Sequence, residues 1–334
     1  MKALVLVEAG QFEVRDVPRP EPGPRDVLVR VEACGICGSD VHGMDGSTGR
    51  RIAPLIMGHE AAGVIAETGA DVTGWKQGDR VTFDSTISCG DCAPCRAGRI
   101  NLCDNRRVLG VSCNEYRCDG AFAEYVTVPH HILYRLPDNL GFEQATLVEP
   151  LSVAVHAVKR AAPRPADAAL VVGTGVIGLL IVQVLREIGC RRIAAADIDP
   201  NRLRLAQKLG AHDVFDARND PPATEFDTAF EAVGLTAPVG LAINALHKGG
   251  TLTLIGNVSP RVELPLQTVV ARELNLLGSC ASAGEYPECL DLLARGTVDA
   301  GALISATAPL EEGPCWFQNL YNKEGNLLKV VLIP

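Results

Sequence analysis

The stretch LVVGTGVIG, residues 170–178, decides the fold. Its first three residues belong to an apolar run that predicts a strand, Ala169–Val172. Its last residue opens a run that predicts a helix, Gly178–Ile188. Gly173, Gly175 and Gly178 give the pattern G-x-G-x-x-G, and Val176 and Ile177, between the last two glycines, are counted with them as candidate cofactor-binding residues. Such glycines permit a tight turn and let the backbone approach a pyrophosphate, which the N–H groups of a helix N-terminus stabilise. The stretch predicts a dinucleotide-binding βαβ unit, although a plain βαβ crossover with tolerated glycines would share the pattern.

An acidic residue follows where such a unit contacts the ribose of its cofactor. Asp197 comes directly after the next predicted strand, Arg192–Ala196, about 20 residues beyond the glycines. A carboxylate at this place binds the ribose hydroxyls and repels a 2′-phosphate, so the sequence favours NAD over NADP. Arg202 instead favours NADP, because a nearby arginine can accommodate the 2′-phosphate. We give Asp197 the greater weight and expect NAD.

Strands and helices alternate from residue 150 onward, which predicts parallel βαβ units. The further segments are a helix and three strands: Asn201–Leu209, then Asp227–Glu231, Leu252–Gly256 and Leu274–Leu277. Before Glu149–Pro150 the chain instead holds short β-like runs between Gly and Pro residues, such as Gly63–Glu67, Arg80–Phe83 and Phe122–Val128. A last strand is predicted at Leu327–Leu332. We therefore predict a β-rich domain, a doubly wound α/β domain, and a tail that rejoins the first domain.

Composition excludes several classes of protein. The 334 residues carry a net charge of −9 and only 4% aromatic residues, which argues against a nucleic-acid partner. No apolar run reaches the roughly 18–20 residues of a membrane span, and the N-terminal residues do not read as an export signal. We therefore expect a cytoplasmic protein with no membrane partner. In a reducing compartment its 12 cysteines are first candidates for metal ligands or reactive thiols.

Four of the cysteines lie within one short segment, CGDCAPCRAGRINLC, residues 89–103. They follow the spacing C-x2-C-x2-C-x7-C: Cys89, Cys92, Cys95 and Cys103. Thiolates two residues apart on a turn converge on one tetrahedral zinc, and four thiolates leave no open position on the metal. The segment predicts a structural zinc site; iron–sulfur ligation or four unrelated thiols are the alternatives.

A second, open metal site is predicted upstream. Cys37 lies in CGICGSDVH, residues 34–42, and His59 lies in GHE, residues 58–60. With a carboxylate from Glu60 or Glu149, these ligands would leave one zinc position for water or substrate. Asp40 could accept the second imidazole N–H of His59 and so fix its tautomer.

With these motifs in chain order, the sequence resembles the zinc-dependent medium-chain alcohol/polyol dehydrogenase family over essentially its whole length. The shared text also includes GDRV, residues 78–81, and VEPLSVAVHA, residues 148–157. The resemblance implies an α/β protein with a GroES-like β-rich catalytic domain over residues 1–149, completed by residues 283–334, and a Rossmann NAD-binding domain over residues 150–282. It also implies two zinc ions per chain, one catalytic and one structural.

The resemblance assigns roles to single residues. Cys37 and His59 match catalytic zinc ligands, and either Glu60 or Glu149 is the direct carboxylate ligand. Many alcohol dehydrogenases have a cysteine in place of Glu149, so this residue points to the polyol branch. Ser39 matches the hydroxyl that takes the alcohol proton, and His42 the residue that relays it to solvent. Lys329 falls where the family often has a basic residue near the cofactor pyrophosphate, although it would equally fit a surface lysine on the last strand.

The implied reaction is hydride transfer from a secondary alcohol or polyol to NAD, giving a ketone. L-Threonine or a sugar-alcohol phosphate are alternative substrates. Ala281 and Ser282 stand where sorbitol-type enzymes have an Arg-Tyr pair, which puts sorbitol itself in doubt. A non-catalytic NAD-binding structural protein on the same fold is the alternative of another class, and it predicts a damaged zinc shell. The apolar strand Leu274–Leu277 resembles an edge through which family members pair, so we expect a homodimer or homotetramer.

Overall fold

The computed structural model describes all 334 residues, which form two compact units. Unit 1 comprises Met1–Glu149, Tyr286–Arg295 and Ala300–Pro334; unit 2 comprises Pro150–Glu285 and Gly296–Asp299. The chain passes from unit 1 to unit 2 between Glu149 and Pro150. It returns to unit 1 at Tyr286, and Gly296–Asp299 interrupts this returning segment.

The strands and helices are numbered in chain order. The strands are β1 (Lys2–Glu8), β2 (Gln11–Asp16), β3 (Asp26–Gly35), β4 (Leu55–Ile56), β5 (Glu60–Thr68), β6 (Arg80–Phe83), β7 (Thr86–Ile87), β8 (Arg107–Val108), β9 (Val111–Ser112), β10 (Arg117–Cys118), β11 (Tyr125–Pro129), β12 (Leu133–Arg135), β13 (Ala168–Val172), β14 (Arg192–Asp197), β15 (Asp213–Asp216), β16 (Phe226–Glu231), β17 (Leu246–Leu254), β18 (Asn275–Gly278), β19 (Ile304–Pro309) and β20 (Lys329–Ile333). The helices are α1 (Gly38–Gly43), α2 (Ala93–Arg96), α3 (Phe142–Ala145), α4 (Val148–Ala161), α5 (Val176–Ile188), α6 (Pro200–Leu209), α7 (Thr236–Ala245), α8 (Leu266–Ala271), α9 (Tyr286–Ala294) and α10 (Gly313–Tyr321).

Unit 1 is built around a seven-stranded sheet. Its main path runs β12-β6-β5-β3-β20-β19, and β11 pairs with β3 as well. The long strand β3 is therefore flanked by β5 and β20, and at its end Gly35 lies opposite both Glu60 and Val331. This register brings three distant parts of the chain to one end of β3. Apolar residues of β1, β3, β5 and β20 form the core beneath the sheet.

Unit 2 is a six-stranded parallel sheet in the order β15-β14-β13-β16-β17-β18, which confirms the predicted α/β class. The strand β13 is completely buried, so its run AALVV is apolar on both faces. The chain leaves β13 toward β14 and later continues on the other side of β13 with β16. The order thus reverses at β13, and ligands of such sheets bind at the carboxyl ends of the strands beside this reversal. Gly173 follows β13 at that place.

Most elements of unit 2 match the sequence prediction, but β15 was missed. The strand reads DVFD, with acidic residues at both ends and every side chain only half-buried. Two apolar residues give too short a run to signal a strand, and its place at the sheet edge comes from pairing with β14. No helix in the structure combines the length and the apolar character needed to cross a bilayer.

Candidate active site and structural metal site

The four cysteines of residues 89–103 converge in unit 1, with their Sγ atoms all within 4.8 Å of one another. Cys92 is the N-cap residue of the short helix α2, and Cys95 lies within that helix. The Sγ of Cys103 lies 3.5 Å from that of Cys89 and accepts the backbone N–H of Cys89 at 3.3 Å. The predicted turn therefore forms, and its donors are those of a closed tetrahedral zinc site.

The thiols of this lobe differ in acidity. Backbone N–H groups, first that of Asp104, lower the pKa of Cys92 to about 7. Burial and the neighbouring thiols raise the pKa of Cys95 to about 12. The thiolate is the form that binds metal, and it is more accessible at neutral pH for Cys92 than for Cys95.

A second cluster brings together Cys37, His59 and Glu60, whose ligand atoms also lie within 4.8 Å of one another. Cys37 follows β3 as the N-cap residue of α1, and Glu60 is the first residue of β5. The pairing of Gly35 with Glu60 places the end of β3 against the start of β5. The cluster thus depends on sheet register rather than on local spacing.

His59 lies in a strongly charged environment. Its Nδ1 is 3.5 Å from Oδ2 of Asp40, and both side chains are buried. Burial alone would lower the pKa of His59, but the charges of Asp40 and Cys37 raise it to about 10. With Nδ1 facing Asp40, Nε2 is the nitrogen available to a metal.

Glu149 lies outside this three-residue cluster. Its Oε1 accepts a hydrogen bond from the hydroxyl of Ser85 at 3.2 Å. Burial raises the pKa of Glu149 to about 7; the charge of His59 opposes this increase, and that of Glu60 adds to it. Of the two candidate carboxylates, the structure therefore groups only Glu60 with Cys37 and His59.

Lys329 was expected either near the cofactor pyrophosphate or on the surface of the last strand, and the structure places it in neither position. Its side chain is 2% exposed, so the interpretation as a surface lysine is wrong. Its ammonium group donates to Oε2 of Glu60 and, at 3.0 Å, to the carbonyl oxygen of Ile36. Because β20 is an inner strand beside β3, this side chain is held within unit 1, and we withdraw its assignment to the cofactor pyrophosphate. Burial would lower the pKa of Lys329, but the charge of Glu60 raises it.

The donor set of the second cluster fits a zinc ion. Oε1 of Glu60 is buried and has no hydrogen-bond partner, while Lys329 holds the other oxygen. The Sγ of Cys37 accepts hydrogen bonds from the backbone N–H of Ser39 at 3.5 Å and from its hydroxyl at 3.3 Å. One sulfur, one nitrogen and one oxygen match the three protein ligands of a zinc site that keeps an open position.

Ser39 and His42 both lie on α1 and are exposed. A spacing of three residues places them on the same face of the helix. Ser39 also contacts Cys37, so this face begins at the metal cluster and leads away from it.

The glycine-rich turn of unit 2 has the geometry of a phosphate-binding loop. Gly173 has φ +91°, a conformation that L side chains rarely adopt. A Cβ on Gly178 would overlap the carbonyl oxygen of Gly173, and Gly175 is the N-cap residue of α5. Val176 and Ile177 form the first turn of this helix. The path of the backbone therefore requires Gly173 and Gly178, whereas Gly175 has an ordinary φ of −70° and open space for a Cβ.

Asp197 ends β14 beside this loop. Its Oδ2 accepts hydrogen bonds from the backbone N–H and the hydroxyl of Thr174, at 2.6 and 2.9 Å, and its Oδ1 accepts from the N–H groups of Ile198 and Asp199. The carboxylate thus ties the glycine loop to the end of β14. Arg202 lies 3.8 Å from Asp199, across the first turn of α6.

Sequence reasoning missed two residues of these sites, Arg51 and Thr174, and it misplaced a third, Lys329. Thr174 lies inside the quoted motif but is a variable position of its pattern. Arg51 pairs with Asp40 at 2.8 Å, and nothing in its sequence neighbourhood signals that contact.

Comparison with known proteins agrees with both units. Residues 23–138 match the family model described as alcohol dehydrogenase GroES-like domain, and residues 176–295 match the one described as zinc-binding dehydrogenase. Sorbitol dehydrogenase of Bacillus subtilis (strain 168) is 32% identical over 348 aligned positions, covering 100% of this chain and 97% of that protein. The chain belongs to the zinc-binding dehydrogenase family. Family membership makes it an oxidoreductase that acts on CH–OH groups, and it confirms the predicted GroES-like and Rossmann domain types.

Two solved structures of dehydrogenases extend this finding. A zinc-binding dehydrogenase from Sinorhizobium meliloti 1021, bound to NADP, is 33% identical with a TM-score of 0.91, covering 100% of this chain and 99% of that one. An alcohol dehydrogenase from Escherichia coli CFT073, complexed with NADH, is 28% identical with a TM-score of 0.92 and the same coverage. These two relatives thus differ in whether the bound cofactor carries the 2′-phosphate of NADP.

Proposed function

We propose that this protein oxidises a secondary alcohol or polyol to a ketone with NAD, using a catalytic zinc held by Cys37, His59 and Glu60. The observation that carries the proposal is the buried Oε1 of Glu60, which has no partner and lies within 4.8 Å of the other two ligand atoms. Lys329 fixes the second oxygen of the same carboxylate. We therefore assign the direct carboxylate ligand to Glu60, with Glu149 nearby as the second carboxylate.

Each side chain has a distinct part in the reaction. Bound zinc lowers the pKa of a coordinated hydroxyl, and bound nicotinamide accepts a hydride. Ser39 takes the proton of the alcohol, because its hydroxyl is held beside the metal cluster by a hydrogen bond to Sγ of Cys37. His42, exposed on the same face of α1, passes that proton to solvent. Asp40 holds the ring of His59 so that Nε2 is presented to the metal.

We propose NAD rather than NADP as the cofactor. The carboxylate of Asp197 lies at the end of β14 beside the glycine loop, where it would repel a 2′-phosphate. Arg202 is turned toward Asp199, which favours the same choice. A higher kcat/KM with NADP than with NAD would contradict this part of the proposal.

The substrate class rests on the residues between β18 and α9. Ala281 carries no polar group and has a left-handed φ of +50°, and Ser282 is buried. Neither offers the guanidinium and phenol that sorbitol-type enzymes carry at these positions. We therefore place the substrate among secondary alcohols and polyols other than sorbitol, with L-threonine and sugar-alcohol phosphates as the alternatives.

We further propose that the protein is a homodimer or homotetramer joined through unit 2. The strand β18 is an edge of the parallel sheet, so one side of its backbone is unpaired. The helix α8, which precedes it, exposes Leu266 and Val270 by 64% and 68%. An unpaired edge flanked by exposed apolar residues is the surface that a second copy would cover. Light scattering at micromolar concentration tests this, and a monomer would contradict it.

We propose a reducing compartment, the cytoplasm, as the site of action. No cysteine of the structure forms a disulfide, and seven of the twelve lie outside the two candidate metal sites. Free thiols in this number are typical of proteins kept under reducing conditions.

The test of the main proposal combines metal content with activity. We expect two zinc ions per chain and reduction of NAD with at least one member of a panel of secondary alcohols, polyols, sugar-alcohol phosphates and L-threonine. The matched control is Cys37→Ala, which should retain one zinc and lose NAD reduction. Protein that holds two zinc ions but reduces neither NAD nor NADP with any member of the panel would favour the non-catalytic alternative.

A further inference from the structure

A buried arginine lies behind the candidate catalytic cluster and has no part in the reaction described above. Arg51 is 6% exposed, and Asp40, which it contacts, is completely buried. Its Nη2 and Nε both donate to Oδ1 of Asp40, at 2.8 and 3.3 Å. Two donors on one carboxylate oxygen restrict rotation of that carboxylate.

The backbone and the stem of Arg51 are themselves held in place. Arg51 forms a β-bridge with Ser112, and the N–H groups of Ile52 and Ser112 complete hydrogen bonds of 3.2 and 3.3 Å across it. Its Nη1 donates to the carbonyl oxygen of Arg50 at 3.0 Å. At the end of α1, a Cβ on Gly43 would come within 2.8 Å of Cγ of Arg51, so the stem passes close to that helix.

The other oxygen of Asp40 is directed at a metal ligand. Oδ2 of Asp40 lies 3.5 Å from Nδ1 of His59, and neither of these buried atoms has a hydrogen-bond partner. Oδ1 is occupied by Arg51, so Oδ2 is the oxygen left for the imidazole. A chain of contacts thus runs from the bridge at Ser112 through Arg51 and Asp40 to His59.

We infer that Arg51 is a positioning residue, which fixes the Asp40 carboxylate so that His59 presents Nε2 to the catalytic zinc. The inference rests on the proposed function insofar as His59 is a zinc ligand. A carboxylate hydrogen-bonded to a metal-bound histidine orients its ring, and removal of such a partner lowers metal affinity by about 10- to 100-fold. The orientation of Asp40 in turn depends on the two donors of Arg51.

The test measures metal affinity rather than turnover. Zn2+ binding at the open site is followed by competition with a chromophoric chelator in wild type, R51M, D40N and the double variant. We expect R51M to weaken Zn2+ binding about 10-fold, while the lobe of Cys89, Cys92, Cys95 and Cys103 keeps its zinc. R51K should recover part of the loss, because lysine supplies the charge but not the two-donor geometry. Arg50→Met, at the exposed neighbouring position, is the matched control and should bind as wild type does.

The double variant decides how Arg51 acts. If it works through Asp40, R51M lowers the affinity no further once D40N is present, and the Co2+ spectrum of R51M matches that of D40N. Unchanged affinity in R51M, or losses that multiply in the double variant, would overturn the inference. If R51M alone does not fold, which retention of the lobe zinc reports, R51K replaces it in the same cycle with the same criteria. A wild-type protein with only one zinc would instead refute the proposed function.

Discussion

The two metal sites of unit 1 are built in different ways. The four cysteines of the lobe lie within residues 89–103, and a single helical turn with its flanking loops brings them together. In the open cluster Cys37 follows β3, whereas His59 directly precedes β5 and Glu60 begins it, so these ligands meet only when the two strands pair. The first site is specified by local spacing, and the second is specified by sheet register.

The two sites also differ in the charged groups that surround them. In the lobe Cys89 is exposed, Cys92 and Cys95 are half-buried, and only Cys103 is buried. The open cluster is surrounded by three buried charged groups, Asp40, Arg51 and Lys329, and by the half-buried Glu149. Burying charge is costly unless each group is paired, so this cluster is the more sensitive to substitution. A closed site needs only its ligands, whereas a site that performs chemistry also needs charges that position them.

The largest expected difference comes from removing one ligand at each site. Cys37→Ala should lower kcat/KM about 1000-fold or more, because Lewis-acid stabilisation by zinc is worth several kcal/mol. Cys95→Ala should instead lower the thermal unfolding midpoint, since a structural zinc contributes folding free energy. Activity assays, zinc content and calorimetry on both variants check this. Equal losses of activity per folded molecule would mean that the two sites do not have separate roles.

Lys329→Met tests how far the open cluster depends on charge pairing. The substitution leaves Glu60 buried without its cation, which should lower the free energy of unfolding by about 3–5 kcal/mol. Added Zn2+ should reduce this loss, because the metal supplies positive charge at the same carboxylate. Urea unfolding with and without Zn2+ measures both effects, with Lys76→Met at an exposed position of unit 1 as the control. A loss below about 1 kcal/mol would show that solvent reaches the pair.

The pH dependence of metal uptake separates the protonation of His59 from the other effects. Its pKa is about 10 in the metal-free protein, against an ordinary value of 6.5. The charged ring therefore stabilises the metal-free protein fully below about pH 6.5, and this contribution is lost as the pH rises through about 10. Zinc binds the neutral imidazole, so we expect its affinity for the open site to rise by up to about tenfold per pH unit across this window.

The control for this pH dependence is Asp40→Asn. The charge of Asp40 is a main cause of the raised pKa of His59. Its removal should therefore lower that pKa toward 6.5 and shorten the pH range over which Zn2+ affinity rises. Titration of Zn2+ binding at several pH values measures the window in both proteins. An affinity that is flat between pH 7 and 9 in the wild type would show that His59 is neutral before the metal arrives.

The comparison also explains what could be predicted from the sequence. The glycine motif and the lobe were predictable because their chemistry depends on residues close together in the chain, such as Gly173 with Gly178 or Cys92 with Cys95. The parallel pairing of the strands in unit 2 followed from the alternation of strands and helices, whereas the order of those strands was not predicted. The short strand β15 was not predictable, because its two apolar residues carry too little signal.

The buried charges around the open cluster were the part that sequence could not supply. Lys329 reads as a lysine on a terminal strand, and only the insertion of β20 beside β3 makes it a partner of Glu60. Arg51 likewise becomes visible through its contact with Asp40, eleven residues away in the chain. Ligand types can be recognised from motifs, but the groups that neutralise and orient them come from long-range pairing.

Gly35→Ala tests that long-range pairing with the smallest change. A Cβ at this position would lie 2.5 Å from Oε2 of Glu60 and 3.3 Å from Cδ of Lys329, so the glycine provides the space in which the ion pair forms. The added methyl should cost about 1–3 kcal/mol of stability through overpacking and should weaken Zn2+ binding at the open site by displacing Glu60. Gly38→Ala is the matched control, because its Cβ would meet no atom within 4 Å. If Gly35→Ala kept both wild-type stability and wild-type Zn2+ affinity, the position of Glu60 would not depend on the register of β3 and β5.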